Sequence, residues 1–202
     1  MNVDIPRIFR PLLKEAIWIK HPSSKLIYLT FDDGPIPEVT PQVLDILDKY
    51  NWKATFFCVG ENVLKYPNLY EKIRSNGHAI GNHTFNHLKA FRCSADDYIS
   101  NIRKAEKFIH STLFRPPYGQ ISNRLIKRLK AMGYQTIMWD VLTHDYNQEL
   151  QPNTILNQIK KQERSGSIVV FHDSIKAQNN ILEVLPLALE FWQSKGYKPG
   201  LL

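Results

Sequence analysis

The run LIYLTFDDGP, Leu26 to Pro35, ends an apolar stretch in two adjacent carboxylates, Asp32 and Asp33. Successive side chains on a strand point to opposite faces, and two carboxylates in one site repel unless a proton or cation comes between them. The pair therefore suits proton transfer or cation binding. It is equally consistent with a strand running into an ordinary Asp-Gly, Gly-Pro turn. His83 and His87 in GNHTFNH have the H-x3-H spacing that puts two imidazoles on one face of a helical turn. Zinc takes His nitrogen and carboxylate oxygen, and a catalytic zinc site uses three protein ligands with one position left for water. Arg115 precedes two prolines in FRPPYG. A stiffened loop there would let it hold a carboxylate bidentately, the plain alternative being a rigid turn with a solvated arginine. His172 closes the apolar run in VVFHDS. His21, His78, His110 and His144 lack paired spacing and read as surface or loop residues, with His78 at the beginning of its strand.

The elements that must carry these residues alternate. The β-rich runs are KLIYLTF, KATFFCVG, HAIGNH, a brief LFR, YQTIMWD and SIVVFHD. Between them lie helical patterns. TPQVLDILDKYN has Thr40 as its expected cap, Pro41 at the first helical position, and Val43, Leu44, Ile46 and Leu47 as its buried side. NLYEKIRSNG and SNRLIKRLKAMG stop at Gly77 and Gly133, and SADDYISNIRKAEKFIH starts from Ser94. TILNQIKKQERSG and NILEVLPLALEFWQSKG follow, with Pro186 expected to kink or split the last. Strand and helix alternate about six or seven times, the pattern of βα units around a parallel sheet, open or closed into a barrel. All of the runs but KATFFCVG end in an ionisable residue: Asp32 and Asp33, His83, Arg115, Asp140 and His172. In barrels, chemistry collects at that edge.

The chain of 202 residues is long enough for one core and carries a net charge of +7. Its basic residues are scattered and read as solvated helix faces, so no nucleic-acid partner is expected. GxGxxG and GxxxxGK[ST] are absent, which removes the usual nucleotide-binding signatures. Cys58 and Cys93 allow one disulfide at most, and no CxxC pattern suggests a metal. The N-terminal stretch is interrupted by charge and has no signal-like or membrane-spanning run. A cytoplasmic location is the default expectation.

Taken in order, TFDDGP, HTFNH, RPPYG, WDVLTHDY and VVFHD resemble the motifs of the polysaccharide deacetylase family with the NodB homology domain, carbohydrate esterase family 4. The resemblance runs from about Lys25 to Gly196. It implies an irregular (β/α) barrel, commonly of seven strands, forming a single domain over 25–202 with 1–24 as an N-terminal extension packed on the barrel. It implies a metal triad of Asp33, His83 and His87 around one divalent ion, usually zinc. Asp32 would be the catalytic base, Arg115 would orient it, the Tyr118 backbone N–H would lie at the oxyanion position, and His172 would be the general acid. Asp145 is assigned to tune His172. In this fourth motif Leu142 stands where a further acid is often found and Tyr146 where a Trp is usual.

The implied reaction is hydrolysis of N-acetyl groups from a chitin-, peptidoglycan- or GlcNAc-type polymer or oligosaccharide, releasing acetate. Although the family often acts at the cell envelope, no export signal is visible. The glycan and the oligomeric state stay open. A related amidase acting on a small non-sugar C–N bond would differ in its pocket residues. A catalytically silent glycan-binding module would need neither base nor acid. A phosphatase with a strand-end aspartate nucleophile would want two acids facing the same way rather than adjacent.

Overall fold

The structure, a computed structural model, describes residues 7–202. The first six residues of the expected extension lie outside the described residues. Eight strands, β1 (Leu26–Asp32), β2 (Thr55–Cys58), β3 (Ala79–Asn82), β4 (Leu113–Phe114), β5 (Gln135–Thr136), β6 (Val141–Leu142), β7 (Ile168–His172) and β8 (Lys198–Pro199), form one sheet. Seven follow the order β5-β4-β3-β2-β1-β7-β6 with parallel pairings, and β8 pairs with the beginning of β1. The helices are α1 (Thr40–Lys49), α2 (Gly60–Lys65), α3 (Pro67–Ser75), α4 (Ala95–Glu106), α5 (Asn123–Ala131), α6 (Pro152–Gln162) and α7 (Gln178–Ser194). This is the expected irregular (β/α) barrel, with the sheet curled rather than fully closed.

Strand β1 is central and covered on both faces, which is why it reads as a continuous apolar run and not as an alternation. Phe31 stacks between Phe56 and Phe171 of the flanking strands, with ring centroids 4.8 and 6.2 Å apart. Register matters most at the C-terminal edge. Asp32 pairs with His172, and Asn82 with Phe114, so His83 and Arg115 leave neighbouring strands at the same level.

The alternation differs from expectation in several places. YQTIMWD does not form one strand. Its middle changes neighbours, because the carbonyls of Ile137 and Met138 accept from the Arg115 guanidinium instead of a strand. Asp140 therefore lies just before β6, its N–H donating to the Ile168 carbonyl, away from the edge that carries the other ionisable residues. There it is fully buried among Arg7, Arg10, Arg164 and Ser167. Ile17 bridges to Ile137 and Ile19 to Ser167, so the described part of the N-terminal extension borders the sheet beside this cluster.

Thr40 is not a helix cap. Val39 precedes α1, and the Thr40 hydroxyl instead accepts from Ile36 N–H and donates to Asp173. Ser94 caps α4 as expected, and Ser122, not singled out in the sequence, caps α5. Helix α7 runs unbroken through Pro186. Cys58 and Cys93 are both free thiols. His78 is buried, not exposed, and accepts from Ala54 N–H at Nδ1. Burial and the charge of Lys53 push its pKa down to about 4, so it stays neutral. No helix among the described residues is long and apolar enough to cross a membrane.

Candidate active site

The turn after β1 separates the two carboxylates. Asp32, buried, turns to Arg115, whose Nη1 donates to its Oδ1 at 2.7 Å. Asp33 has φ 86° and faces the imidazoles: its Oδ1 lies 3.7 Å from His83 Nε2 and 3.2 Å from His87 Nε2. Left-handed backbone at a residue other than glycine costs about 1–3 kcal/mol and persists only where the surroundings enforce it. Asn62 Nδ2 donates to the Asp33 carbonyl, Val59 N–H to that of Gly34, and Asp173 N–H to that of Asp32.

The H-x3-H pair is held by a loop and not by a helical turn. Thr84 and His87 have φ 66° and 56°, Asn82 Oδ1 accepts from Thr84 N–H, and Thr84 Oγ1 accepts from Leu88 N–H. This bend brings the rings to 5.0 Å between centroids. His83 Nδ1 lies 2.8 Å from the Arg115 carbonyl. A carbonyl only accepts, so the proton sits on Nδ1 and Nε2 keeps its lone pair toward Asp33. Burial, helped by His87 and opposed by Asp32, pushes His83 down to about 4, leaving it neutral.

These three residues fit a cation. One ligand atom from each lies within 4.8 Å of the others. Asp33 Oδ1 is buried and has no hydrogen-bond partner among the described residues, an expensive condition unless a cation sits there. Burial would raise the Asp33 carboxyl, but the close approach of His87 Nε2 and the positive charge that His172, His87 and His83 can carry together hold it below the usual carboxylate range. The anionic form, the one that binds metals, is thus favoured.

Arg115 is fully buried over Phe57, with Cζ 4.1 Å from the ring centroid. It does not grip a carboxylate with two prongs. Nη1 is shared between Asp32 and Thr30 Oγ1, while Nε and Nη2 donate to the carbonyls of Ile137 and Met138. Arg115→Lys should therefore lower turnover by on the order of 10²-fold, since lysine keeps the charge but cannot serve four acceptors from one planar group. Acetate-release kinetics beside a melting curve checks this; wild-type kcat with a normal melting temperature would reduce Arg115 to a packed cation.

On the other side of Asp32 stands His172. Its Nδ1 lies 2.7 Å from Asp145 Oδ1, and its backbone N–H donates to Asp145 Oδ2 at 2.8 Å. Burial would lower the His172 pKa, but the Asp145 charge and hydrogen bond, with Asp33 and Asp32 behind them, raise it to about 9. Asn180, which sequence reasoning missed, donates to the carbonyls of Asp145 and Asn147 and fixes this loop. Thr30, Asn62 and Asp173 were missed as well. Only Asp173 carried a signal, as a second ionisable residue at the end of β7.

Asp32, Asp33, His83, His87, Tyr118 and His172 all line one cavity of about 470 Å³. Arg115 and Asp145 lie behind it. Asp140 is elsewhere. Tyr118 sits in a 3-10 turn with φ 59°, its ring 4.6 Å from that of His87. The turn's own hydrogen bonds come from Gly119 and Gln120 N–H, so neither uses the Tyr118 N–H. Trp139, Leu142, Tyr146 and Val170 supply a largely apolar wall. Tyr146 stands edge-on to His172 at 5.0 Å, and its hydroxyl is hydrogen-bonded to His144 Nδ1.

Residues 19–137 match the profile of the polysaccharide deacetylase family. A peptidoglycan-N-acetylglucosamine deacetylase of Bacillus cereus is 37% identical over 188 residues, 90% of this chain and 88% of its own. A chitooligosaccharide deacetylase of Azorhizobium caulinodans is 35% identical over 154 residues, 73% of each chain. The crystal structure of a peptidoglycan N-acetylglucosamine deacetylase bound to an N-oxidanyl-benzamide superposes with a TM-score of 0.90 at 31% identity, over 96% of this chain and 94% of that one. The motifs, the curled parallel barrel and these relatives agree, and the chain belongs to the polysaccharide deacetylase family, a hydrolase of non-peptide carbon–nitrogen bonds in N-acetylated amino sugars.

Proposed function

We propose that this chain deacetylates N-acetylglucosamine units of a peptidoglycan-type glycan, using Asp33, His83 and His87 to hold one zinc ion. The observation that carries the site assignment is the division of labour within one turn. Asp33 offers an unpartnered oxygen to two imidazoles, while Asp32 gives its Oδ1 to Arg115 and turns its Oδ2 to within 4.0 Å of only one of them, at His83 Nε2. The similarity to the Bacillus cereus enzyme supports the glycan, and the shorter match to the chitooligosaccharide deacetylase makes a chitin-type oligosaccharide the comparison substrate.

When bound, the zinc ion supplies Lewis acidity and lowers the pKa of a coordinated water to about 7. The chain's own groups do the remainder. Asp32 accepts the proton of the attacking water, its geometry fixed by Arg115. The Tyr118 N–H donates to the carbonyl oxygen as charge develops there. His172, kept cationic by Asp145, hands its proton to the departing amine. The products are acetate and a free amino sugar. Trp139, Leu142 and Val170 give the cavity an apolar wall against which an acetyl methyl group would pack.

Elemental analysis of protein purified without added metal should find close to one equivalent of zinc. Exhaustive chelation should abolish acetate release from N-acetylated glycan, and one equivalent of Zn²⁺ should restore it. Full activity in the chelated protein would end this assignment. Faster release from chitooligosaccharides than from peptidoglycan fragments would replace the proposed glycan and leave the chemistry standing.

A further inference from the structure

Asp173 has no part in the chemistry above, yet it is buried to 1% exposure beside the turn that carries the two working carboxylates. Two of its polar atoms reach that turn directly and a third reaches helix α1: its N–H donates to the Asp32 carbonyl at 3.1 Å. Its Oδ1 accepts from Gly34 N–H at 3.1 Å, and its Oδ2 accepts from Thr40 Oγ1 at 2.6 Å. Thr40, itself fully buried, uses the same oxygen to accept from Ile36 N–H. A single residue thus brackets Asp33 from both sides, at Asp32 C=O and at Gly34 N–H, and reaches Ile36 through Thr40.

Gly34 shows how close the fit is. A Cβ placed on it would lie 2.0 Å from Asp173 Oδ2 and 2.5 Å from its Cγ, so only glycine lets the carboxylate reach the backbone. The glycine of DDGP is therefore there for a close approach and not merely for a turn. Asp33 between these contacts is held at φ 86°, a conformation that an aspartate adopts only under constraint. Asp173 also follows His172 directly, and His172 pairs in register with Asp32. The residue that fixes the Asp32–Gly34 turn is covalently attached to the proposed acid.

We propose that Asp173 is a positioning residue that sets the backbone of the Asp32–Asp33–Gly34 turn, and through it both the metal ligand Asp33 and the spacing of base and acid. This rests on the metal-site reading above. Residues behind first ligands usually matter on the order of 10–100-fold in metal affinity or activity. Asp173 is not in the cavity wall, so substrate binding should be spared.

The test measures Zn²⁺ affinity by competition with a chromophoric chelator, together with kcat and KM for acetate release from an N-acetylated oligosaccharide. Asp173→Ala should weaken Zn²⁺ binding and lower kcat by about 10–100-fold each, with KM within about twofold. Gly34→Ala should give the same split, because its Cβ would displace the carboxylate. The double variant should be no worse than Asp173→Ala, since the group that the Cβ meets is gone. Should Asp173→Ala fail to fold, Asp173→Asn decides. It keeps the volume and an acceptor for Gly34 N–H but puts an amide nitrogen where Oδ2 meets the Thr40 hydroxyl, and should show the same split at about three- to tenfold, a fraction of the full effect. Wild-type Zn²⁺ affinity and kcat in a folded Asp173 variant, with only the melting temperature lowered, would overturn the proposal. A wild-type protein that binds no Zn²⁺ would instead overturn the metal-site reading, and the kcat ratio alone would then decide the role of Asp173.

Discussion

Asp32→Asn is expected to retain one equivalent of metal and to lose about 10²–10⁴-fold in acetate release, the usual worth of a positioned base. Asp33→Asn, one residue on, is expected to lose the metal, because a neutral amide is a poor substitute for an anionic oxygen ligand. Adjacent isosteric substitutions thus separate in metal content, although both remove one negative charge from the same turn. The separation follows from geometry. Asp33 Oδ1 faces two Nε2 atoms without any hydrogen bond, and Asp32 Oδ1 is occupied by Arg115. Asp32→Asn should also lower stability, since Arg115 is fully buried and would lose its only carboxylate contact among the described residues. Breaking a buried pair in this way typically costs about 3–5 kcal/mol. Metal analysis, acetate release and melting temperature on the two variants provide the check. Metal lost from Asp32→Asn and kept by Asp33→Asn would exchange the roles of base and ligand.

Asp145→Asn should act on His172 and reduce turnover at pH 8 by on the order of 10²-fold. Burial favours neutral imidazole, and Asp145 supplies the largest opposing effect, so its removal should drop the His172 pKa clearly below about 9. An NMR titration of the metal-free protein reads this directly; a cation in the neighbouring site would add a like charge and lower the value. The sign for stability follows from linkage. The His172 pKa is higher in the folded chain than in the unfolded one, so the pair's contribution is fully present below about pH 6.5 and is lost as pH rises through about 9. Asp145→Asn should flatten that stretch of the stability profile. A His172 midpoint unmoved by Asp145→Asn would remove Asp145 from the tuning role.

The sequence by itself determined the architecture and singled out most of the ionisable residues that gather at the cavity. The continuous apolar run into Asp32, the glycine stops at Gly77 and Gly133, and the serine cap of α4 are local signals, and local chemistry fixes what they specify. Motif order then assigned roles to Asp32, Asp33, His83, His87, Arg115 and His172, and the fold brings all of them to one edge. Other features depended on neighbours distant in the chain. Asp140 looked like a strand-end acid, but Ile137 and Met138 spend their carbonyls on Arg115, the strand breaks, and Asp140 emerges among three arginines at the opposite end. Thr40 looked like a cap, but a buried carboxylate 133 residues away competes for its hydroxyl. His83 and His87 were spaced for a helix, yet a loop held by Asn82 places them better for sharing Asp33. Propensity and spacing act over a turn or two of chain, whereas a buried donor or acceptor must be satisfied by whatever tertiary packing brings next to it. Which atoms face the cavity, and which are held behind it, was decided there.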